Sequence, residues 1–388
     1  MIHLDVTSTA RRRLQTGVPR MVRGIYEGLA ARRAVTPLAW GATLPAYTRL
    51  RREQAANLAD PFRAAPAAPP VAGPLAHAAR WLHERFHRID LPARMAENDL
   101  LFVTEIFQDG RIDFFQSLLP LPRGKAWVLF YDALVWSLPE YAPADRNPRF
   151  EDYLAVLARF DGVVCISRES EADLHRFWSE RGIAAAPTRV LLLPMPLAAA
   201  RPAPAAPRPG RKRLLVVATL EPRKNHLRLL AACASLWARG VDFEVELIGR
   251  AVGAGSDPVR REIERLQRGG APLAWLAHVD DAKLEAAYRD CAFTVYPSIR
   301  EGFGLPILES LWHHRPCICG GTGALGEAAE GGGCLFIDPT DTASLAAGIE
   351  RLLTEEGTYR QLQAEATART FLGWDAYVEQ LLAILEGT

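Results

Sequence analysis

The chain reads as two α/β domains, each a doubly wound parallel sheet covered by helices, and three observations predict this. Its 388 residues exceed what one hydrophobic core usually serves, about 250–300 residues. Short apolar runs alternate with longer amphipathic ones along most of its length, the β-α rhythm of parallel sheets. That rhythm breaks at Pro194-Met195-Pro196, followed by Arg201-Pro202-Ala203-Pro204-Ala205-Ala206-Pro207-Arg208-Pro209-Gly210. Prolines bar such a run from a helix or a central strand, and it reads as a semi-rigid linker. The expected division is a first domain over 1–197, a linker over 198–212 and a second domain over 213–388, whose last helix crosses back to the first.

In the first domain, strands are expected at 2–6, 35–40, 100–104, 126–131, 163–166 and 190–193. Helices are expected between them, among others at 19–32, 150–159 and 169–180. Trp127-Val128-Leu129-Phe130 is apolar without alternation, as a parallel strand covered on both faces requires. A second Pro/Ala-rich patch at 61–74 reads as a loop insertion. The helix after it, 76–89, sets Trp81, Leu82 and Phe86 beside His83, Arg85, His87 and Arg88. It offers two readings, contact with a membrane surface or a surface helix packed by its aromatic face, and the second is the simpler. The second domain repeats the rhythm, with strands at 214–218, 244–248, 273–276, 293–296, 317–319 and 335–337. Its helices are expected at 226–238, 258–268, 282–290, 306–313 and 344–353. In such sheets ligands bind beyond the carboxyl ends of the strands.

Composition narrows the class. The formal net charge is +1, so no global field favours nucleic acid or membrane. Hydrophobic residues make up 49% and charged residues 23%, as in ordinary globular proteins. No apolar run approaches the roughly 20 residues of a membrane span. Met1-Ile2-His3-Leu4-Asp5-Val6 reads as a first strand and not as a signal peptide, so a cytoplasmic location is expected. Cys165, Cys233, Cys291, Cys317, Cys319 and Cys334 form no CxxC pair and read as small buried hydrophobes.

The most specific stretch is Tyr296-Pro297-Ser298-Ile299-Arg300-Glu301-Gly302-Phe303-Gly304-Leu305-Pro306-Ile307-Leu308-Glu309, running from a strand through a glycine loop into a helix. Gly302 and Gly304 let the backbone turn sharply and approach a ligand. Pro306 suits a first helical turn. The amides around Phe303–Leu305 then point out of a helix N-terminus, a ready anion site. Glu301 and Glu309 flank that turn, and carboxylates suit sugar and ribose hydroxyls. A glycine turn with a capping glutamate is the plainer reading, and it explains the whole string poorly. A second feature, Ala218-Thr219-Leu220-Glu221-Pro222-Arg223-Lys224-Asn225-His226, follows the first strand of the second domain. Arg223 and Lys224 there are placed to neutralise a diphosphate leaving group; a solvated basic turn is the plainer alternative. There is no Asp-x-Asp motif and no cluster of metal ligands, so neither metal nor cofactor is expected.

Together these stretches resemble the retaining GT-B glycosyltransferases of family 4, whose signature includes Glu-x7-Glu. The resemblance runs through Val217–Asn225, Leu247–Arg250, Asp280–Tyr288, Pro297–Glu309 and Gly333–Pro339 in family order. It implies that Arg223 and Lys224 hold the donor diphosphate. The Glu301 loop, Gly302, Phe303, Gly304 and Leu305, would meet the donor sugar and phosphate, and Glu309 the ribose. Gly249, with the segment around His278, would bound the base. In the first domain Thr16-Gly17-Val18-Pro19-Arg20 looks like the family's acceptor-side glycine loop. Tyr131-Asp132-Ala133-Leu134 resembles a stretch of bacterial polysaccharide mannosyl- and rhamnosyltransferases, which makes Asp132 a candidate catalytic residue and Tyr131 an acceptor-side one. As a plainer alternative, Asp132 caps the following turn. Arg11-Arg12-Arg13 with Arg20 and Arg23 suits a lipid-diphosphate acceptor or a solvated face.

The expected activity is transfer of a hexose or deoxyhexose, mannose first, from a nucleotide-sugar such as GDP-mannose to a saccharide or polyprenyl-diphosphate-linked acceptor, with retention, in surface polysaccharide assembly. No nucleic-acid partner is expected, and a peripheral contact with the inner membrane face is compatible with the sequence. The rival functions are a nucleotide-sugar epimerase or phosphorylase on the same fold, and a non-catalytic sugar-nucleotide-binding protein.

Overall fold

A computed structural model describes residues 1–12, 17–60, 74–142, 147–195 and 200–387. The chain forms two compact units. One comprises Met1–Trp136, Asn147–Pro196 and Leu372–Thr388; the other comprises Ser137–Arg146 and Leu197–Phe371.

In the first unit the strands are β1 (Ile2–Asp5), β2 (Val35–Trp40), β3 (Tyr47–Arg49), β4 (Leu100–Val103), β5 (Lys125–Phe130), β6 (Gly162–Cys165) and β7 (Thr188–Val190). They form one sheet in the order β3-β2-β1-β4-β5-β6-β7. Every pairing is parallel except β2 with β3. Strands β1, β4 and β6 are buried at every position, which is why their sequences do not alternate. The short edge strand β3 was not expected, because three residues give no periodic signal. The last strand was expected at 190–193 and pairs over Thr188–Val190 instead. Leu191 and Leu193 stay buried beyond it, so the apolar run there reports burial and not pairing.

The helices of this part are α1 (Thr7–Arg11), α2 (Gly17–Ala30), α3 (Arg52–Ala59), α4 (Pro74–Phe86), α5 (Leu91–Arg94), α6 (Arg111–Leu118), α7 (Leu134–Ser137), α8 (Phe150–Leu157) and α9 (Arg168–Glu180). Helix α2 buries Met21, Val22, Ile25 and Leu29, one stripe at helical spacing. Helix α4 departs from the reading of a helix packed by its aromatic face, since Trp81, Leu82 and Phe86 are all exposed.

The second unit holds β8 (Arg213–Val217), β9 (Glu244–Ile248), β10 (Leu273–Leu276), β11 (Phe293–Tyr296), β12 (Cys317–Gly320) and β13 (Cys334–Ile337). All are parallel, in the order β10-β9-β8-β11-β12-β13. The order reverses between β8 and β11, and the crevice at such a reversal is where doubly wound sheets bind ligands. Its helices are α10 (His226–Ala238), α11 (Asp257–Arg268), α12 (Asp281–Asp290), α13 (Leu305–Trp312), α14 (Gly323–Ala329), α15 (Thr342–Thr354) and α16 (Glu356–Ala368). The final helix, α17 (Trp374–Glu386), belongs to the first unit and packs on α2. A Cβ added at Gly24 would lie 2.2 Å from the Trp374 ring, and one at Gly28 would lie 2.4 Å from Val378. These two glycines, one helical turn apart, open the groove that the last helix fills.

The Pro/Ala run has no regular structure over 200–208, yet it is fixed to the second unit. The Arg201 guanidinium donates to the carbonyls of Leu311 (2.8 Å), Trp312 (3.0 Å), Ala366 (2.6 Å), Thr367 (2.9 Å) and Arg369 (3.0 Å). These carbonyls lie at the C-terminal ends of α13 and α16, where helices leave acceptors without intrahelical donors. The guanidinium also stands 5.0 Å from the Phe371 ring centroid. Arg201→Ala strands several half-buried carbonyls at once and is expected to destabilise the second unit by about 3 kcal/mol. Arg201→Lys should recover less than half, because an ammonium cannot span a planar five-donor fork. Urea denaturation of the two variants checks this, and equal stability of wild type and alanine variant would refute it.

Candidate functional site

The carboxyl ends of β8 and β11 carry the two stretches that the sequence singled out. After β8 the chain makes a short helical turn over Pro222–Lys224 and enters α10 through Asn225, whose φ is 61°. This left-handed conformation is one that asparagine tolerates better than most residues. The Asn225 amide nitrogen donates to Pro297 O (3.1 Å) and Pro339 O (2.6 Å). It thereby ties together the loops that follow β8, β11 and β13.

This turn aims Arg223 and Lys224 at the β11 loop. Lys224 Nζ lies 2.6 Å from Glu301 Oε1, and Arg223 Nη1 lies 2.6 Å from Glu301 Oε2. Both are charge-assisted contacts of near-minimal length. Tyr296, the last residue of β11, completes the cluster. Its hydroxyl donates to Glu301 Oε1 at 3.0 Å and accepts from Lys224 Nζ at 2.9 Å. Arg223 Nη1 also donates to Arg300 O at 2.7 Å, and Glu221 stands 3.6 Å from Arg223 Nη2. Burial alone would raise the Glu301 carboxyl, but the Lys224 and Arg223 charges outweigh it and hold its pKa down at about 2. Burial likewise opposes the charge on Lys224, and Glu301 overcomes it, raising the ammonium pKa. Each partner therefore keeps the other ionised at neutral pH. The cluster is an ordered set of charges at the switch point of the sheet.

Beyond Glu301 the loop turns at Gly304, with φ 122°, and a Cβ there would press on Ala328 and Ile307 at 3.3 Å. Phe303 is buried, and Leu305 begins α13 with Pro306 in its first turn. Glu309, within α13, is buried and accepts a 2.9 Å hydrogen bond from the Tyr288 hydroxyl of α12. The Tyr288 ring stacks on His313 at 5.2 Å. Gly249 follows β9 and allows a close crossing, since a Cβ there would sit 1.9 Å from Ala218 O. Its carbonyl accepts from Trp275 Nε1 at 2.9 Å. His278 is exposed beyond β10. Thus Arg223, Lys224, Glu301, Gly249 and His278 all lie beyond carboxyl ends of strands in this sheet, while Glu309 has its described contact with Tyr288.

His226, the first residue of α10, is buried, and neither ring nitrogen has a partner. Burial first, and the nearby Lys224 charge second, lower its pKa to about 3. Above pH 6.5, the ordinary value, the ring is neutral in both folded and unfolded chains. Below it only the unfolded chain takes up the proton, so stability falls with pH down to about 3. His226→Leu should flatten this acid limb by about 1.4 kcal/mol per pH unit, read from urea denaturation between pH 6.5 and 4.5. An unchanged slope would place the acid sensitivity elsewhere.

In the first unit, Tyr131 is buried and its hydroxyl donates to Thr104 O at 3.0 Å. Asp132 is half-buried, and its Oδ1 accepts from Leu134 N at 3.1 Å, the turn-capping bond. Gly17 opens α2; Thr16 lies outside the described residues. Sequence reading missed a buried network beyond β1 and β4. Asp5 Oδ2 accepts from Arg111 Nη1 (2.8 Å) and the Tyr47 hydroxyl (2.7 Å). Glu105 accepts from the amides of Ser8 (2.5 Å) and Thr9 (2.6 Å) at the start of α1. Burial, and Asp5 after it, raise the pKa of Glu105. Among the described residues no three His, Cys, Asp or Glu side chains converge as a metal site, and no helix is long and apolar enough to cross a membrane.

Comparison with known proteins bears on the family of one region and on the fold. Residues 201–369 match the family described as glycosyl transferases group 1. The chain is 30% identical over 259 residues to O-antigen chain mannosyltransferase B of Escherichia coli, covering 65% of this chain and 66% of that protein. It is 24% identical over 246 residues to the serotype-specific mannosyltransferase WbdA of E. coli, covering 59% of this chain but only 30% of WbdA. Among solved structures, sucrose-phosphate synthase from Thermosynechococcus elongatus superposes with a TM-score of 0.68 at 18% identity, over 100% of this chain and 98% of that one. The chain has the GT-B fold, and its match to the group 1 glycosyltransferases lies in the second unit.

Proposed function

We propose that this chain is a glycosyltransferase that moves a hexose or deoxyhexose, mannose first, from a nucleotide-sugar to a saccharide or lipid-linked saccharide acceptor, with retention of configuration. The observation that carries the reading is the convergence of Arg223 and Lys224 on Glu301 at the switch point between β8 and β11. A nucleoside diphosphate leaving group gains negative charge as the sugar departs, and cations fixed in advance stabilise that charge without reorganising. Glu301 keeps both cations in place and supplies an acceptor for a sugar hydroxyl. The amides opening α13 add donors for phosphate oxygens. Glu309 is assigned to the ribose, and Gly249 with the His278 segment to the base.

For the reaction we favour a front-face course. The bond from the sugar C1 to the diphosphate oxygen breaks, and the acceptor oxygen joins C1 on the same face. The acceptor proton passes to the departing phosphate oxygen, so the products are a glycoside and a nucleoside diphosphate. GDP-mannose is the first donor to try, since the relatives found at 24% and 30% identity are named as mannosyltransferases, and a polysaccharide role in surface assembly follows the same hint. Asp132 is assigned to the acceptor side of the reaction.

A thermal-shift series with GDP, UDP, dTDP and GDP-mannose tests the reading. A diphosphate present at 100 times its dissociation constant should stabilise the fold by about 2.7 kcal/mol, with the guanine pair giving the largest shift. A flat response to every nucleotide would defeat it, and a larger shift with UDP would replace the donor.

A further inference from the structure

Tyr296 ends β11, and the packing around its ring fixes where its hydroxyl stands. The residue is 3% exposed and shares an apolar cluster with Ile307 of α13, Cys319 of β12 and Leu325 of α14. Close-packed interiors hold such a ring in one position. Three hydrogen bonds close on one another at its polar end. Lys224 Nζ donates to Glu301 Oε1 at 2.6 Å and to the Tyr296 hydroxyl at 2.9 Å, and that hydroxyl donates to the same Glu301 oxygen at 3.0 Å.

An ammonium carries three rotatable donors. One acceptor leaves it turning about that single bond; two acceptors stop the rotation. The third N–H of Lys224 then has a set direction, and no acceptor among the described residues receives it. The Lys224 side chain keeps 12% of its surface open, and through that opening an incoming oxygen reaches the ammonium. Burial first, and Glu301 after it, push the pKa of the Tyr296 hydroxyl up to about 12. The hydroxyl therefore keeps its proton at neutral pH and serves as a bridge, not as an acid or a base.

We propose that Tyr296 is a positioning residue, which locks the Lys224 ammonium so that its third N–H meets the departing diphosphate oxygen. It acts through Lys224 and touches no substrate. The proposal rests on the donor assignment made above, in which Lys224 stabilises the leaving group. Charge on that oxygen grows only as its bond to the sugar breaks, so the aim of the ammonium counts in turnover more than in donor binding.

Tyr296→Phe tests this, because phenylalanine keeps the packed ring and its 5.2 Å approach to Nζ and removes the hydroxyl alone. Release of GDP from GDP-mannose, with methyl α-mannoside as acceptor, is followed for wild type, Tyr296→Phe, Lys224→Met and the double variant. Tyr296→Phe is expected to lower kcat by about 30-fold, as for a small misplacement at a reacting centre. KM for GDP-mannose should stay within about twofold of wild type, and the melting temperature should fall by about 3 °C for one lost hydrogen bond. In the Lys224→Met background the same substitution should cost less than about twofold, since no ammonium is left to aim. An undiminished cost in that background would overturn the proposal and leave the Lys224 assignment standing. So would wild-type kinetics in Tyr296→Phe, or a raised KM with kcat unchanged, which marks a plain donor contact. Wild-type turnover by Lys224→Met would instead fail the donor assignment, and no GDP release by the wild-type chain would fail the GDP-mannose reading itself; either result takes the proposal with it.

Discussion

Lys224→Met is expected to lower the rate of sugar transfer by about 10³-fold, and Arg223→Ala by about 10²-fold or more, the range seen when one preorganised charge stabiliser is removed. The two differ because Lys224 Nζ contacts both Glu301 and Tyr296, whereas Arg223 shares its donors with Glu301 and the Arg300 carbonyl. Removing either cation leaves Glu301 with one cation beside the Tyr296 hydroxyl in a buried setting, so its carboxyl pKa should climb from about 2 toward its ordinary value. Part of any loss could then be loss of fold. Two measurements separate the causes. Melting of each variant with and without nucleoside diphosphate reports the fold and the ground-state affinity; initial rates report the stabilisation of the departing diphosphate. Lys224→Arg is the useful control, since it keeps the charge but alters its reach. Near-wild-type turnover in the Arg223→Ala/Lys224→Met double variant would return this basic turn to an ordinary solvated loop.

The parts of this site that were legible in sequence are those set by local pattern. The strands Glu244–Ile248, Leu273–Leu276 and Phe293–Tyr296 and the helix His226–Ala238 fall at the expected residues. Each is an uninterrupted apolar or amphipathic run bounded by polar or turn residues, and burial follows from that directly. The glycine loop into α13 was legible for the same reason, because Gly304 and Pro306 mark a turn and a helix start. The electrostatic content was not. Tyr296 reads in sequence as the apolar end of a strand, and only the register of β8 against β11 brings its hydroxyl between Lys224 and Glu301. Tyr288 likewise lies 21 residues before Glu309, and nothing in the spacing announces their contact. The Asp5–Arg111 pair spans 106 residues and exists because β1 and β4 are parallel neighbours. Helix α4 shows the opposite case. Its amphipathic pattern was plain, but amphipathicity alone does not say which face turns inward, and the bonds that Glu84 accepts from the amides of Ala42, Thr43 and Leu44 decide that.

Asp132 carries the second large expected effect, and its geometry makes the experiment sharper than a simple deletion. Asp132→Ala is expected to lower transfer by about 10²-fold or more, as for a group acting at the reacting centre, while nucleoside-diphosphate affinity stays within about twofold of wild type, as expected of an interaction made in the transition state and not in donor binding. The carboxylate also caps a turn, accepting from Leu134 N at 3.1 Å, and losing a cap would by itself destabilise the chain by about 1 kcal/mol. Asp132→Asn distinguishes the two roles. The asparagine carbonyl can accept the same bond from Leu134 N, so the turn and the melting temperature should be kept, but the negative charge is gone. If the charge acts in transfer, the asparagine variant is as slow as the alanine variant and as stable as wild type. If the turn alone matters, asparagine restores both rate and stability, and Asp132 leaves the reaction. A parallel fall of rate and diphosphate affinity in both variants would instead place Asp132 with the donor, and the assignment of acceptor chemistry to the first unit would have to be abandoned.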